Sequence, residues 1–253
     1  MAEVLVVEDE DTTRLLLEAR LVEAGHVVRP ASSMEEAQAV LAQTGPPEVV
    51  VSDMFMPGGS GLSLVAALRR EPACADLPVI FLSGRALPGD VDAGRAMGAT
   101  YLTKPLSVPA LLQAIGAGLA GRDAALGQQV LQQLGDLGDV DSGNAAVGPL
   151  AMRVLSLFVE QAPAARAAVE SALAYADAEA LEATTHRLGG AAANLGARPL
   201  AQVCGRLEEH ARSGRFPVPA PLTATLRREL TTTCRVFGSF VASSAGPEAS
   251  SQD

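Results

Sequence analysis

Five residues in the first half of the chain carry groups that can do chemistry, and they stand at the ends of four short apolar runs. Glu8 and Asp9 follow Val4–Val7, Asp53 follows Val49–Val51, Ser83 follows Leu77–Leu82, and Lys104 follows Thr100–Thr103. Three carboxylates packed together repel one another and need a hard cation that prefers oxygen, for which Mg2+ is the natural choice. Lys104 adds a point charge suited to phosphate oxygens. Carboxylate, metal, hydroxyl and ammonium together are what phosphoryl transfer onto a carboxylate requires. Lys104 is also the only lysine of the chain, every other basic residue besides histidine being arginine. A forked guanidinium fits poorly among three carboxylates, where a compact ammonium fits well.

These groups meet only if the apolar runs are strands of one parallel sheet, because such a sheet gathers its carboxyl strand ends at a single crevice. The spacing supports this. Residues 12–24, 33–43, 60–70, 89–97 and 107–119 read as helices alternating with the runs above and with Val27-Val28. Five βα units with continuously apolar strands predict a sheet covered by helices on both faces.

Beyond residues 120–126 the pattern changes to helices alone. Stretches near 126–134, 149–161, 163–175, 178–195, 198–213 and 220–241 have helical periodicity, with a Gly/Asp-rich loop at 135–148 and a small, polar tail. The fold class is therefore α/β followed by all-α. In the segment 177–196, Leu181, Leu188 and Leu195 form a stripe spaced by seven. His186 points roughly 140–180° away from all three, which predicts an exposed ring. Its neighbours on that face are Gly189, Gly190 and Ala193. Two glycines inside a helix, each costing about 1 kcal/mol relative to alanine, suggest that something approaches the backbone closely there.

The motifs VVEDED (6–11), SDMFMPGGSGL (52–62), FLSG (81–84) and YLTKP (101–105) stand in the order and spacing of the response-regulator receiver domain, which residues 2–121 resemble. The resemblance implies a flavodoxin-like (βα)5 fold with a five-stranded parallel sheet. It implies that Asp53 is the phosphoacceptor and that Glu8, Asp9, Asp53 and the Phe55 carbonyl hold Mg2+. Ser83 and Lys104 would contact the phosphoryl group, and Tyr101 would be the switch aromatic that follows Ser83. Phosphatases of the haloacid-dehalogenase type use a similar set, but they need a second acid two residues after the nucleophile, where this chain has Phe55.

Residues 126–241, most clearly 177–214, resemble histidine phosphotransfer (HPt) domains, the four-helix-bundle carriers of phosphorelays. That likeness implies that His186 carries a phosphoryl group on its ring. Family members usually have a lysine three residues after the histidine, which helps to hold the phosphoryl group, and here the position is Gly189. Arg187 lies roughly 100° round the helix and is a poor substitute. The other histidines, His26 and His210, lack the ligand cluster of a metal site.

The expected organisation is a receiver at 1–121, a linker at 122–126, an HPt domain at 127–241 and a disordered tail at 242–253. The expected function is a two-component phosphorelay protein that takes phosphoryl on Asp53 from a sensor kinase's phosphohistidine and carries it on His186. It is a phosphoryl carrier rather than an enzyme, although the receiver would catalyse its own phosphorylation and dephosphorylation. In the alternative, only Asp53 is phosphorylated and the helical half docks partners. Sensor histidine kinases and other receivers are the expected partners. A net charge of -10 without a run of Lys or Arg argues against nucleic acid and anionic membrane. The acidic start lacks the form of a signal peptide, no apolar run approaches the ~18 residues of a membrane span, and Cys74, Cys204 and Cys234 are too scattered for a disulfide framework. These features point to the cytoplasm.

Overall fold

The apolar runs of the first half are strands: β1 (Glu3–Val7), β2 (Val27–Ala31), β3 (Val49–Asp53), β4 (Val79–Ser83) and β5 (Ala99–Thr103). They form one parallel sheet in the order β2-β1-β3-β4-β5. These data come from a computed structural model that describes residues 1–56, 59–71, 73–84, 92, 94–136, 140–141 and 146–244.

Side chains alternate between the faces of a strand, and here both faces are apolar. Leu5, Val7, Val50, Val79 and Phe81 join a core that includes Ala37 of α2 (Met34–Thr44) and Leu64, Val65 and Leu68 of α3 (Gly61–Arg70). Val4, Val6, Val49, Val51, Ile80 and Leu82 join a second core with Leu17 and Leu21 of α1 (Asp11–Glu23) and with Leu111 and Ile115 of α4 (Val108–Asp136). The helices α1, α2 and α3 are each started by a side chain that satisfies free backbone amides. Glu10 accepts from Thr12 and Thr13 at the head of α1, and those bonds lower its carboxyl to about 2. Ser33 and Ser60 cap α2 and α3. Of the helix expected at 89–97, residues 92 and 94–96 are helical, Met97 stands in a turn, and residues 89–91 and 93 lie outside the described residues.

Residues 122–126, expected to be a linker, are helical, because α4 runs unbroken from Val108 to Asp136 and joins the helices expected at 107–119 and 126–134. Between those limits the sequence offers only glycines as weak breakers, and the single proline, Pro109, sits in the first turn where its missing N–H costs nothing. The chain divides into two compact units, Met1–Arg122 and Asp123–Asp253.

In the second unit, α5 (Pro149–Ala174), α6 (Ala178–Asn194), α7 (Arg198–Arg212) and α8 (Ala220–Ser244) form a closed ring of contacts, each helix touching two neighbours. Their core includes Leu155, Phe158, Leu181, Leu188, Leu207, Leu226 and Phe237, and Leu126, Val130 and Leu134 of α4 join it. The separate helices expected at 149–161 and 163–175 are one. Pro163 lies inside α5 and breaks nothing. Proline removes one intrahelical bond, but Phe158 and Ala162 before it and Val169 and Ala172 after it bury into the same core. Tertiary packing thus holds both halves in line. The loop at 135–148, expected without strand, carries a short antiparallel pairing of Val140–Asp141 with Ala146–Val147; residues 137–139 and 142–145 are outside the described set. The expected tail begins later than 242, since α8 extends to Ser244, and residues 245–253 are also outside that set.

After Asp53 the backbone turns back. Phe55 and Met56 pair with Ser60 and Gly59, and the Gly61 amide donates to the Met54 carbonyl at 3.0 Å. A Cβ at Gly61 would lie 2.6 Å from both the Asp53 carbonyl oxygen and the Phe81 ring. Gly61→Ala is therefore expected to lower stability by about 1–3 kcal/mol, the cost of overpacking a filled core, read as a lower urea midpoint with unchanged slope.

Candidate functional site

Strand register builds the first site. Val7 pairs with Ser52, so Glu8 and Asp9 leave β1 beside Asp53 at the end of β3. Asp53 pairs with Leu82, the residue before Ser83, and Ser83 pairs with Thr103, the residue before Lys104. One oxygen from each of Glu8, Asp9 and Asp53 can lie within 4.8 Å of the others.

Lys104 ties this cluster together. Its Nζ donates to both Glu8 oxygens at 3.0 and 2.9 Å and to Asp53 Oδ2 at 2.6 Å. Glu8 is 1% exposed. Burial pushes its carboxyl above the usual range, against the pull of the Lys104 ammonium, and the nearby Asp53 charge adds to the rise. For Lys104, burial disfavours the charge, but the Asp53 and Glu8 carboxylates outweigh it and hold the ammonium above its ordinary value. The Phe55 amide donates to Asp53 Oδ1 at 3.0 Å and fixes that carboxylate from its other side. Hard oxygen donors gathered this closely are suited to a divalent cation such as Mg2+.

Ser83 is buried, and its Oγ has no hydrogen-bond partner among the described residues. A buried hydroxyl without a partner costs free energy until a ligand oxygen arrives to satisfy it. Tyr101 is half-buried in the core beneath α3, with its ring centroid 5.2 Å from that of Phe81. A Cβ at Gly94 would sit 1.9 Å from the Tyr101 hydroxyl, so the ring occupies space that only a glycine leaves open. The structure therefore brings together Glu8, Asp9, Asp53 and Lys104, with Ser83 at the adjoining strand end. Tyr101 stands on the same sheet face one layer deeper.

The second site is on α6. Leu181, Leu188 and Leu195 are buried as the spacing predicts, and the His186 side chain is 73% exposed. Its Nδ1 lies 3.2 Å from Glu208 Oε1 on α7. Glu208 Oε1 also accepts from Arg212 Nη2, and Arg212 Nε donates to Glu182 Oε1 at 2.8 Å. Sequence reasoning missed Glu182, Glu208 and Arg212. The spacing of four between Glu182 and His186, and again between Glu208 and Arg212, is visible in the sequence, but the pairing of α6 with α7 that joins them is not.

Gly189 has a different cause from the one expected. A Cβ there would lie 2.9 Å from the Cys204 Cβ, so α7 of the same bundle makes the close approach. Gly190 faces open space. Cys204 is a packing group: burial pushes its thiol up to about 12, well away from reactive thiolate chemistry.

Comparison with known proteins agrees with both halves. The response regulator receiver domain family matches residues 4–116, and the Hpt domain family matches residues 153–235. Protein PilH of Pseudomonas aeruginosa is 36% identical over 122 residues, covering 48% of this chain and 100% of PilH. Sensor histidine kinase GacS of Pseudomonas protegens is 31% identical over 220 residues, covering 81% of this chain and 24% of the kinase. That alignment is longer than either half and so crosses both. Among solved structures, the Vibrio cholerae chemotaxis protein CheY4 covers 46% of this chain and 98% of its own, at 31% identity and a TM-score of 0.44.

The raised carboxyl of Glu8 has a sign that can be checked. A carboxyl that binds its proton more tightly when folded contributes stability at low pH, and that contribution is lost as pH rises from the ordinary glutamate range through the folded value. Glu8→Gln removes this term. In EDTA, the urea midpoint of the variant relative to the wild type is expected to increase between about pH 4.5 and pH 8. A constant difference across that interval would contradict the burial argument.

Proposed function

Because the chain belongs to the response regulator receiver family over its first half and carries an Hpt domain in its second, we propose that Asp53 accepts a phosphoryl group from a sensor kinase's phosphohistidine and that His186 carries one on its ring. The pairing of the two domains makes the chain a two-component phosphorelay protein, and such domains accept and carry phosphoryl groups rather than turn over a substrate. They work with sensor histidine kinases and other relay components. We place the receiver at 1–121 and the HPt domain at 127–241. No helix among the described residues is long and apolar enough to cross a membrane, and we place the chain in the cytoplasm with the kinases it works with.

The observation that carries the reading is the Lys104 ammonium between Glu8 and Asp53. A carboxylate oxygen of Asp53 attacks phosphorus in line. The O–P bond forms as the N–P bond of the donor breaks, and the donor nitrogen keeps the electron pair. Lys104, already on Asp53 Oδ2, exchanges part of that contact for a phosphoryl oxygen, and the unpartnered Ser83 hydroxyl donates to another. Glu8, Asp9 and Asp53 with the Phe55 carbonyl would hold Mg2+, which would neutralise the remaining phosphoryl charge. The receiver thereby assists its own phosphorylation, and the same groups serve hydrolysis. Ser83 is drawn toward the phosphoryl group, and Tyr101 responds below it as a shift in populations.

The docking-only alternative rests on the missing lysine at 189. Packing against Cys204 accounts for that glycine, and an exposed ring oriented by Glu208 favours chemistry at His186.

Incubation with Mg2+ and a small phosphodonor, followed by intact mass measurement, tests both acceptors. The wild type is expected to show an alkali-labile adduct lost in Asp53→Ala and an acid-labile adduct lost in His186→Ala. Omission of Mg2+ is expected to remove only the first. An Asp53 adduct alone, with no loading of His186 from a phosphorylated receiver, would leave the helical half as a docking domain.

A further inference from the structure

His186 and Glu182 lie four residues apart on α6, and Glu208 and Arg212 lie four apart on α7. The two pairs face each other across a close contact of α6 with α7, where a Cβ at Gly189 would lie 2.9 Å from the Cys204 Cβ. His186 Nδ1 and Arg212 Nη2 share one oxygen, Glu208 Oε1, and Arg212 Nε reaches back to Glu182 Oε1 at 2.8 Å. The four side chains thus close a square over the α6–α7 seam.

The square settles which ring nitrogen reacts. Glu208 is 14% exposed and Arg212 holds its carboxylate in place, so Glu208 fixes the proton of His186 on Nδ1. Nε2 then carries the free lone pair on a ring that is 73% exposed. A phosphoryl group on Nε2 brings about two negative charges to a spot already flanked by two carboxylates. It needs a cation. Position 189 cannot supply one, because any side chain there meets the Cys204 Cβ at 2.9 Å. Arg212 is 56% exposed, and its Nη1 makes no hydrogen bond among the described residues.

Resting on the reading of His186 as a phosphoacceptor, we propose that Arg212 is the phosphoryl-binding cation of this domain, delivered from α7 in place of a lysine on α6, with Glu208 as the residue that positions the ring. In the transfer, His186 Nε2 attacks phosphorus of an acyl phosphate. The N–P bond forms, the acyl O–P bond breaks, and the released carboxylate keeps the electron pair. The Nδ1 proton stays where it is, and Glu208 balances the positive charge that the ring acquires. Arg212 turns its free edge from the Glu208 side to the phosphoryl oxygens, while Glu182 keeps the guanidinium within reach.

The test uses the full chain carrying Asp53→Ala, so that His186 is the acceptor measured, with phosphoramidate as donor and the acid-labile adduct followed by intact mass. His186→Ala in that background must abolish the adduct. Arg212→Ala is expected to slow loading by about tenfold, the scale of one lost charge-assisted contact at an exposed site. Arg212→Lys, which keeps the charge without the fork, is expected to recover most of the rate. The urea midpoint of Arg212→Ala separates binding from scaffolding: an exposed ion pair contributes little to stability, so the midpoint should stay close to the parent's while loading falls. Loading by Arg212→Ala within twofold of the parent would overturn the proposal. So would a urea midpoint of Arg212→Ala well below the parent's, since that pattern belongs to a clamp between helices. If the parent with an intact His186 forms no acid-labile adduct, the phosphoacceptor reading itself fails, and this inference fails with it.

Discussion

Three carboxylates at the ends of two neighbouring strands repel one another, and most of the first unit serves to hold them together all the same. Lys104 offsets that repulsion with one ammonium shared between Glu8 and Asp53. The compensation is incomplete, because Glu8 is buried and its carboxyl stays raised despite the lysine. The site is therefore under electrostatic load, and the load is relieved by additional positive charge or by neutralising a carboxylate as a phosphoryl ester. Sheet order follows from this requirement. β3, which carries Asp53, lies between β1 with the acidic pair and β4 with Ser83, and Lys104 enters from β5 at the edge. Apolar layers on both faces fix the register, and a slip of one residue would carry the polar end of one strand out of line with its neighbours.

This half of the molecule was largely legible in the sequence, because the signals are local. Continuous apolar runs marked the strands, and polar residues at their ends marked the crevice. What sequence reading got wrong lies where distant packing overrides a local signal. The breaks expected between residues 119 and 126 and between 161 and 163 are absent, and α4 and α5 pass through Gly121, Gly127 and Pro163. In each case apolar residues on the far side of the weak point bury into the second core: Leu126, Val130 and Leu134 in α4, Val169 and Ala172 in α5. Helix propensity is worth about 1 kcal/mol at a glycine, and a buried leucine contributes more than that.

The second site was legible in half. The exposure of His186 followed from the leucine stripe, since spacing by seven needs no knowledge of neighbours. Its chemical surroundings come from another helix and carry no local signature. Glu208 and Arg212 in RLEEHAR read as an ordinary charged helix face until α7 is laid against α6. Gly189 shows the same limit from the other direction. Its lack of a side chain looked like an opening for a partner, and the occupant is the Cβ of Cys204.

Gly189 and Arg212 are two consequences of one packing choice. Helices approach closely where one of them presents a glycine, and the closer they come, the less room remains for any long side chain rooted in the seam. A cation rooted at 189 is incompatible with Cys204 at its present distance. A cation rooted two turns further along α7 is not, because residue 212 stands beyond the point of closest contact and can lean back over the seam. Its anchors, Glu182 and Glu208, lie one on each helix, so the guanidinium spans the seam instead of emerging from it. The same close approach brings Glu208 within hydrogen-bonding distance of the His186 ring. Tight packing of α6 on α7 thus excludes one source of positive charge and, by the same geometry, orients both the nucleophile and the residue placed to replace that charge.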